Sequence, residues 1–350
     1  MLVYLSVFLV MVFAGLFARK RVEQDISLGL FGVFLLLFMG TRYHTGCDYR
    51  AYESRFLYLY KDTDYLSYVT QEEPGFHWLN LLVHDLGLGF MWVNLFASLI
   101  FVLCLIRFVR ISPSPVLLLA IMFPIVILQL GMSGLRQALA VAFLLQAMIS
   151  FVNVRRLHAA LWILVAAQFH QSAYIFLPLA FMAGRKFSWP MVVASLAVLG
   201  PAAVFLLGER ADVYSDRYVE QIYGENSSGG ALLRYALAVL PCILFELQIK
   251  RVRRLLPKLY PLLRVVSLMT FALAPIGLLS TVALHRMTFY VLPADLLIFV
   301  CTVMTLPRPQ ALSRQLLVLP AGALLVYLLG WFTLSRHSAI CYVPYDSFLF

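Results

Sequence analysis

Long apolar runs, most of them roughly 17–20 residues, alternate with short polar breaks along nearly the whole chain. They fall at about 2–18, 26–41, 89–106, 116–131, 135–152, 159–169, 171–183, 190–207, 231–249, 265–284, 287–305 and 316–334. Wound as an α-helix, a run of that length matches the hydrocarbon thickness of a bilayer. The pattern predicts an all-α polytopic membrane protein with about 12 transmembrane or half-membrane helices. The first run lacks the short core and small-residue cleavage site of a secretory signal peptide and is expected to remain as a span.

One stretch breaks the rule. Between Arg156 and Arg185 the apolar sequence is too short for two full spans, and Phe169-His170-Gln171-Ser172 interrupts it at the midpoint. Two half-length helices with a polar apex exist in a membrane only where protein or a water-filled cavity surrounds the apex, because unsatisfied backbone groups are too costly in lipid. His170, Gln171 and Ser172 are therefore expected to line a cavity open to the outside.

Composition supports the bilayer setting. Hydrophobic residues make up 62% of the 350 and charged residues 13%, far from a soluble domain of this size. The net charge of +10 reads as positive-inside bias rather than nucleic-acid binding, since the basic residues are scattered through short loops between spans. Arg19-Lys20-Arg21, Arg107, Arg110, Arg155-Arg156, Arg185-Lys186, the block from Lys250 to Arg264, Arg308 and Arg314 hold about 17 of the 27 basic residues. With these loops cytoplasmic, the loops at 42–88 and 208–230 and both termini face outward, carrying about 13 of the 17 acidic residues. Counting 159–183 as a single span would send the 250–264 block to the outer face, so charge parity also favours two segments.

The chain reads as one membrane domain, 1–350, with two outer loops. In the 42–88 loop, Tyr49, Tyr52, Phe56, Tyr58 and Tyr60 alternate with Asp48, Arg50, Glu53 and Arg55, which suits a short amphipathic helix in the interface. A second short helix is expected at about 76–86. The 208–230 loop carries Tyr214, Tyr218 and Tyr223 and ends in Asn226-Ser227-Ser228-Gly229-Gly230, a turn-forming joint. Such tyrosines can stack on sugars, although anchoring at the interface is their commoner use. The five cysteines show no metal spacing. Cys104, Cys242 and Cys301 fall in spans, whereas Cys47 and Cys341 map to the outer side, where an oxidising compartment permits a bridge.

Arginines near outward span ends are candidate anion ligands, because a planar guanidinium matches phosphate bidentately and is expensive at depth unless paired or hydrated. Arg42, Arg136, Arg234 and Arg286 (after His285) qualify. Arg136 is the strongest, following Gly131-Met132-Ser133-Gly134, where the glycines allow close backbone approach at a helix start. For proton transfer the outward groups are Asp48, Glu72, Glu73, His77, His170 and His285. His170 leads because a histidine at an intramembrane apex must find a polar partner and titrates near neutrality. Glu73-Pro74-Gly75-Phe76 is a rigid turn that would fix a carboxylate at the surface. Asp295, low in a span beside Pro293, reads as a helix-packing polar residue.

At these positions the chain resembles a known family. Arg42-Tyr43-His44-Thr45-Gly46-Cys47-Asp48-Tyr49 with Tyr52 is similar to the Arg...Gly-x-Asp-Tyr-x-x-Tyr signature of the EpsG family of polysaccharide polymerases, functionally related to the Wzy O-antigen polymerases. Glu73-Pro74-Gly75-Phe76, Gly134-Leu135-Arg136-Gln137-Ala138-Leu139-Ala140, Phe169-His170-Gln171-Ser172-Ala173 and Pro344-Tyr345-Asp346-Ser347 resemble further pieces of the pattern. Cys47 departs from it, standing where a small or hydroxyl residue is expected.

The resemblance implies a multi-pass enzyme of the bacterial inner membrane with its site facing the periplasm. The growing glycan would leave undecaprenyl pyrophosphate for a non-reducing-end hydroxyl of another lipid-linked repeat unit. On that reading Arg42, Arg136 and Arg286 meet the pyrophosphates, with Arg234, Tyr49, Gln137 and His285 around the substrate. The acceptor hydroxyl is handled by His170, Asp48 or Glu73, in that order. The expected partners are the undecaprenyl-pyrophosphate-linked oligosaccharide and membrane lipids, with room for a chain-length regulator; no cofactor, metal or nucleic acid is called for. The competing readings are a lipid-linked-glycan flippase, an O-antigen-ligase-type transferase and a membrane O-acyltransferase. A flippase should carry arginines reachable from both faces, and an acyltransferase should reach its histidine from the cytosol.

Overall fold

The computed structural model describes residues 1–58, 73–185, 188, 190, 193–194, 197, 229–307 and 315–349. The described residues are helical, with no strand among them. Six helices are long and apolar enough to cross a membrane, or seven if one bent pair counts as a span, so this is a multi-pass membrane protein. Shorter apolar helices accompany them. That is six to seven span-length helices against an expected twelve or so segments; the remainder are too short or lie outside the described residues. Most of the expected span at 190–207, most of the 208–230 loop, Glu72, Arg308 and Arg314 are in the latter group.

In chain order the helices are α1 (Leu2–Phe17), α2 (Arg21–Gly40), α3 (Tyr49–Tyr58), α4 (Pro74–Asp85), α5 (Phe90–Val109), α6 (Pro115–Met122), α7 (Leu135–Val152) and α8 (Arg156–Phe169). There follow a 3₁₀ turn (Gln171–Phe176), α9 (Leu177–Met182), α10 (Gly229–Leu255), α11 (Tyr260–Ala272), α12 (Ala274–Leu279), α13 (Thr281–Met304), α14 (Val318–Leu334) and α15 (Arg336–Tyr342). The starts follow local chemistry. Glu23 Oε2 accepts the Arg19 and Lys20 N–H groups at 2.8 and 2.9 Å and caps α2, while α4 and α6 open on proline, which has no N–H to orphan there. After α6 the chain meets Pro124, which cannot continue an α-helical ladder, and the backbone runs on as a π-helix from Phe123 to Gly131.

The chain divides into two compact units. The first comprises Met1–Phe143, Val165–His170 and Arg314–Phe350, the second Leu144–Leu164 and Gln171–Ser313. In the first unit the C-terminal tail folds back onto the segment after α2. The α14–α15 pair bends by 85°, and the Tyr342 hydroxyl at its end donates to the Leu128 carbonyl of the π-helix at 3.3 Å. Cys341 forms a disulfide with Cys47. Backbone bonds run from Gly46 N to Cys341 O (2.7 Å), Tyr43 N to Asp346 O (2.9 Å) and Phe348 N to Thr41 O (2.8 Å). In the second unit Thr270 and Cys242 contact Asp295 Oδ1 at 2.8 and 3.3 Å. Asp295 thereby joins α10, α11 and α13, a helix-packing use as expected.

Gly46 is where this tail clamp meets the rest of the first unit. Its φ of +106° lies in the glycine-favouring region, and a Cβ there would sit 1.9 Å from the Met132 carbonyl oxygen. Gly46→Ala is expected to lower stability by about 2 kcal/mol or more, seen as a clearly reduced Tm of the detergent-purified protein; an unchanged Tm refutes this account of the clamp.

Candidate functional site

The site begins at a strained residue. Glu73 caps α4 in the left-handed region, at φ 62° and ψ 60°, a conformation costing a non-glycine residue about 1–2 kcal/mol. Pro74 follows at the first helical position. Gly75 lets this turn press against the end of α8: a Cβ there would lie 3.0–3.1 Å from Gln168 and Phe169 atoms. The turn thus delivers the Glu73 side chain to the point where α8 stops at His170. Phe169 is fixed by stacking on Phe143 at 5.1 Å.

Three charged or titratable side chains meet there. Arg136, in the first turn of α7, donates from Nη1 to Glu73 Oε2 at 2.6 Å. The other carboxylate oxygen, Oε1, lies 3.8 Å from His170 Nδ1. Glu73 is 5% exposed and His170 8%, while the Arg136 side chain is about one-third open at 32%. Arg136 Nε is buried and has no hydrogen-bond partner. Tyr52 of α3 lays its ring 5.9 Å from the guanidinium carbon. Burial is the largest influence on the Tyr52 phenol and pushes it up; the Arg136 charge pulls the other way, and nearby Asp48 adds to the rise. Gln137 is buried beside Arg136, and Asp48 is exposed just before α3, its carbonyl accepting from Tyr52 N at 3.1 Å.

Chemically, a carboxylate close to Nδ1 favours the tautomer protonated there and leaves Nε2 as the basic nitrogen. The Arg136 guanidinium, bonded at Nη1 by Glu73 and also hydrogen-bonded with the Tyr52 hydroxyl, keeps part of its surface open, where an anion can approach. Among the described residues no three His, Cys, Asp or Glu side chains converge to hold a metal ion.

Other expected residues are placed elsewhere. Arg42 is 1% exposed and donates to the Thr45 carbonyl at 3.1 Å and to the Met39 carbonyl. Burial brings its guanidinium down to about 10. As arranged, Arg42 shapes the backbone under the tail and presents no open face to a phosphate, because the tail residues that bury it return from almost 300 positions away. Tyr49, expected around the substrate, is likewise buried, edge-on to Phe90 at 5.3 Å in the core of the first unit. Arg234, His285 and Arg286 belong to the second unit, with Arg234 and Arg286 near enough to act electrostatically on His285. Tyr52 carried less weight in the sequence than its position gives it; the signal was the spacing Tyr49, Tyr52, Phe56, one face of a short helix.

A model of the EpsG family matches residues 25–347. The chain belongs to the EpsG family. That family includes Wzy-type polymerase-like glycosyltransferases, so this is a membrane protein of the polysaccharide-polymerase type. No curated protein and no solved structure matches the chain. Within this EpsG-family chain, Glu73, Arg136 and His170 come from three separate family-like segments and converge in the first unit.

Removing the Glu73 charge leaves Arg136 without its ionic partner. Glu73→Gln is expected to cost about 1–3 kcal/mol, less than a fully buried broken pair because Arg136 is partly open to solvent. A Tm equal to wild type in detergent would contradict the pairing.

Proposed function

We propose that this EpsG-family protein is a polysaccharide polymerase that transfers a glycan from undecaprenyl pyrophosphate to the non-reducing-end hydroxyl of another lipid-linked repeat unit, at the outer face of the bacterial inner membrane. The observation that carries the reading is the Arg136 guanidinium, held at Nη1 by Glu73 and keeping an unpartnered buried Nε, beside His170. In the transfer, the bond between the glycan's anomeric carbon and the pyrophosphate oxygen breaks as the acceptor oxygen bonds to that carbon. The acceptor hydroxyl's proton goes to His170 Nε2, and the departing pyrophosphate takes the bonding electron pair. Arg136 meets that growing negative charge through the open part of its guanidinium, a preorganised donor of the kind that stabilises transition states most effectively. Glu73 holds both groups in register and orients the imidazole. Two substrates tethered to the same membrane arrive with much of their translational freedom already lost, which supplies an orientation advantage.

The Cys47–Cys341 disulfide supports the outward placement of this face, since such bonds persist in oxidising compartments. The charge pattern of the loops supports the same orientation.

Purified protein, supplied with a lipid-pyrophosphate-linked repeat unit in EDTA, is expected to build a ladder of longer glycans. Arg136→Ala should slow the ladder by about 10²–10³-fold, with the lowered Tm that loss of the cation beside buried Glu73 brings, and His170→Ala should slow it by about 10²–10⁴-fold. Arg136→Lys should not restore the rate, because an ammonium lacks the guanidinium fork. Full activity in these variants removes their assigned roles. Addition limited to a single glycan block points to ligation, and lipid movement across liposomes without a ladder points to flipping.

A further inference from the structure

Glu73 grips Arg136 at one nitrogen, Nη1. A single contact fixes a point but not the plane of a guanidinium, which can still swing about the Nη1···Oε2 line. The plane decides which part of the guanidinium faces the open side, and so how it meets a phosphate.

A second constraint is present. The Tyr52 ring lies 5.9 Å from the guanidinium carbon, within the distance at which the negative face of an aromatic ring attracts a cation. The ring is itself held firmly: Tyr52 is 7% exposed and packs at 5.3 Å against Phe76. It shares one apolar cluster with Tyr49, Phe56, Leu135 and Leu139. Leu135 immediately precedes Arg136, and Phe76 lies in the turn that Glu73 caps, its N–H bonded to the Glu73 carbonyl at 3.1 Å. Tyr52 is thus packed into the same layer as the backbone of both members of the ion pair.

We infer that Tyr52 is a positioning residue: its ring and hydroxyl set the plane of the Arg136 guanidinium so that the solvent-open part of that group is presented to phosphate oxygens of the lipid-linked substrate. The inference rests on the reading of Arg136 as the pyrophosphate ligand. The ring and the phenol hydroxyl, which hydrogen-bonds the Arg136 side chain, act on the cation together. Burial pushes that phenol above its ordinary range near 10, so it keeps its proton at neutral pH and does not act as a base.

The test replaces Tyr52 by phenylalanine, and by phenylalanines with increasing numbers of ring fluorines introduced through nonsense suppression. Fluorination withdraws charge from the ring face while nearly keeping its shape. Each purified variant is scored for affinity toward undecaprenyl pyrophosphate, ladder rate and Tm. Tyr52→Phe is expected to weaken binding by about two- to threefold through loss of the hydroxyl; affinity should then fall further with each fluorine, to about tenfold below wild type at the fully fluorinated ring, at constant Tm. A flat affinity across the series overturns the inference. So does a Tyr52→Phe variant as weak as the fully fluorinated one, which would make the hydroxyl the sole working part, or a Tm that falls in parallel, which would make the role packing alone. Affinity that follows fluorination in a protein whose wild type builds no ladder upholds Tyr52 and removes polymerisation.

Discussion

A carboxylate taken out of water must be compensated where it lies, and the first unit is arranged around that demand at Glu73. With the side chain 5% exposed, bare ionisation would cost several kcal/mol, so cationic and hydrogen-bonding groups have to approach it. Arg136 approaches on one oxygen and His170 on the other. Those contacts offset the left-handed backbone of Glu73, and the strain is tolerated because Pro74, Gly75 and the end of α8 leave the turn little alternative. The same pairing that stabilises the buried charge also aims a guanidinium edge and an imidazole, which is how a packing requirement becomes a reactive arrangement.

Covalent and backbone links extend that order to the C-terminus. The tail is joined to the 41–47 segment by a disulfide and several backbone hydrogen bonds, and that segment leads directly into α3. Gly46 lies against the Met132 carbonyl, four residues before Arg136, and Tyr52 reaches Arg136 itself. The tail and the reactive arginine are therefore parts of one mechanical assembly. Arg42, fully buried in this assembly, keeps its charge on backbone carbonyls with no carboxylate in its hydrogen-bond set. It has become a structural cation.

The membrane architecture was legible because hydrophobic length is a local property. Helix breaks at His170 and the short helices α3 and α4 followed from polar residues interrupting apolar runs and from tyrosine spacing. Glu73, Arg136 and His170 were legible as individual candidates, since each stands out chemically against an apolar background. Their convergence was not, because nothing local in three segments spread over about a hundred residues says that they meet. The burial of Arg42 and Tyr49 was hidden for the same reason in reverse: they stand at the end of a span, and only the tail returning from position 341 onward and the helix carrying Phe90 cover them. The π-helix was also hidden, since Pro124 announces a break in the ladder but not which geometry replaces it.

The division of labour within the cluster follows from exposure. Glu73 is the most enclosed of the three and is committed on both oxygens, so its contribution is to hold. Arg136 is the most open and has one edge committed, so it is the member suited to receive an anion from outside. His170 lies between these limits, close enough to Glu73 to be oriented and positioned where α8 ends. If the three had equal exposure, the arrangement would be a buried salt-bridge network with no preferred direction. The gradient from enclosed carboxylate to open guanidinium gives it one, and a leaving pyrophosphate approaching the open end would find the charge already oriented toward it.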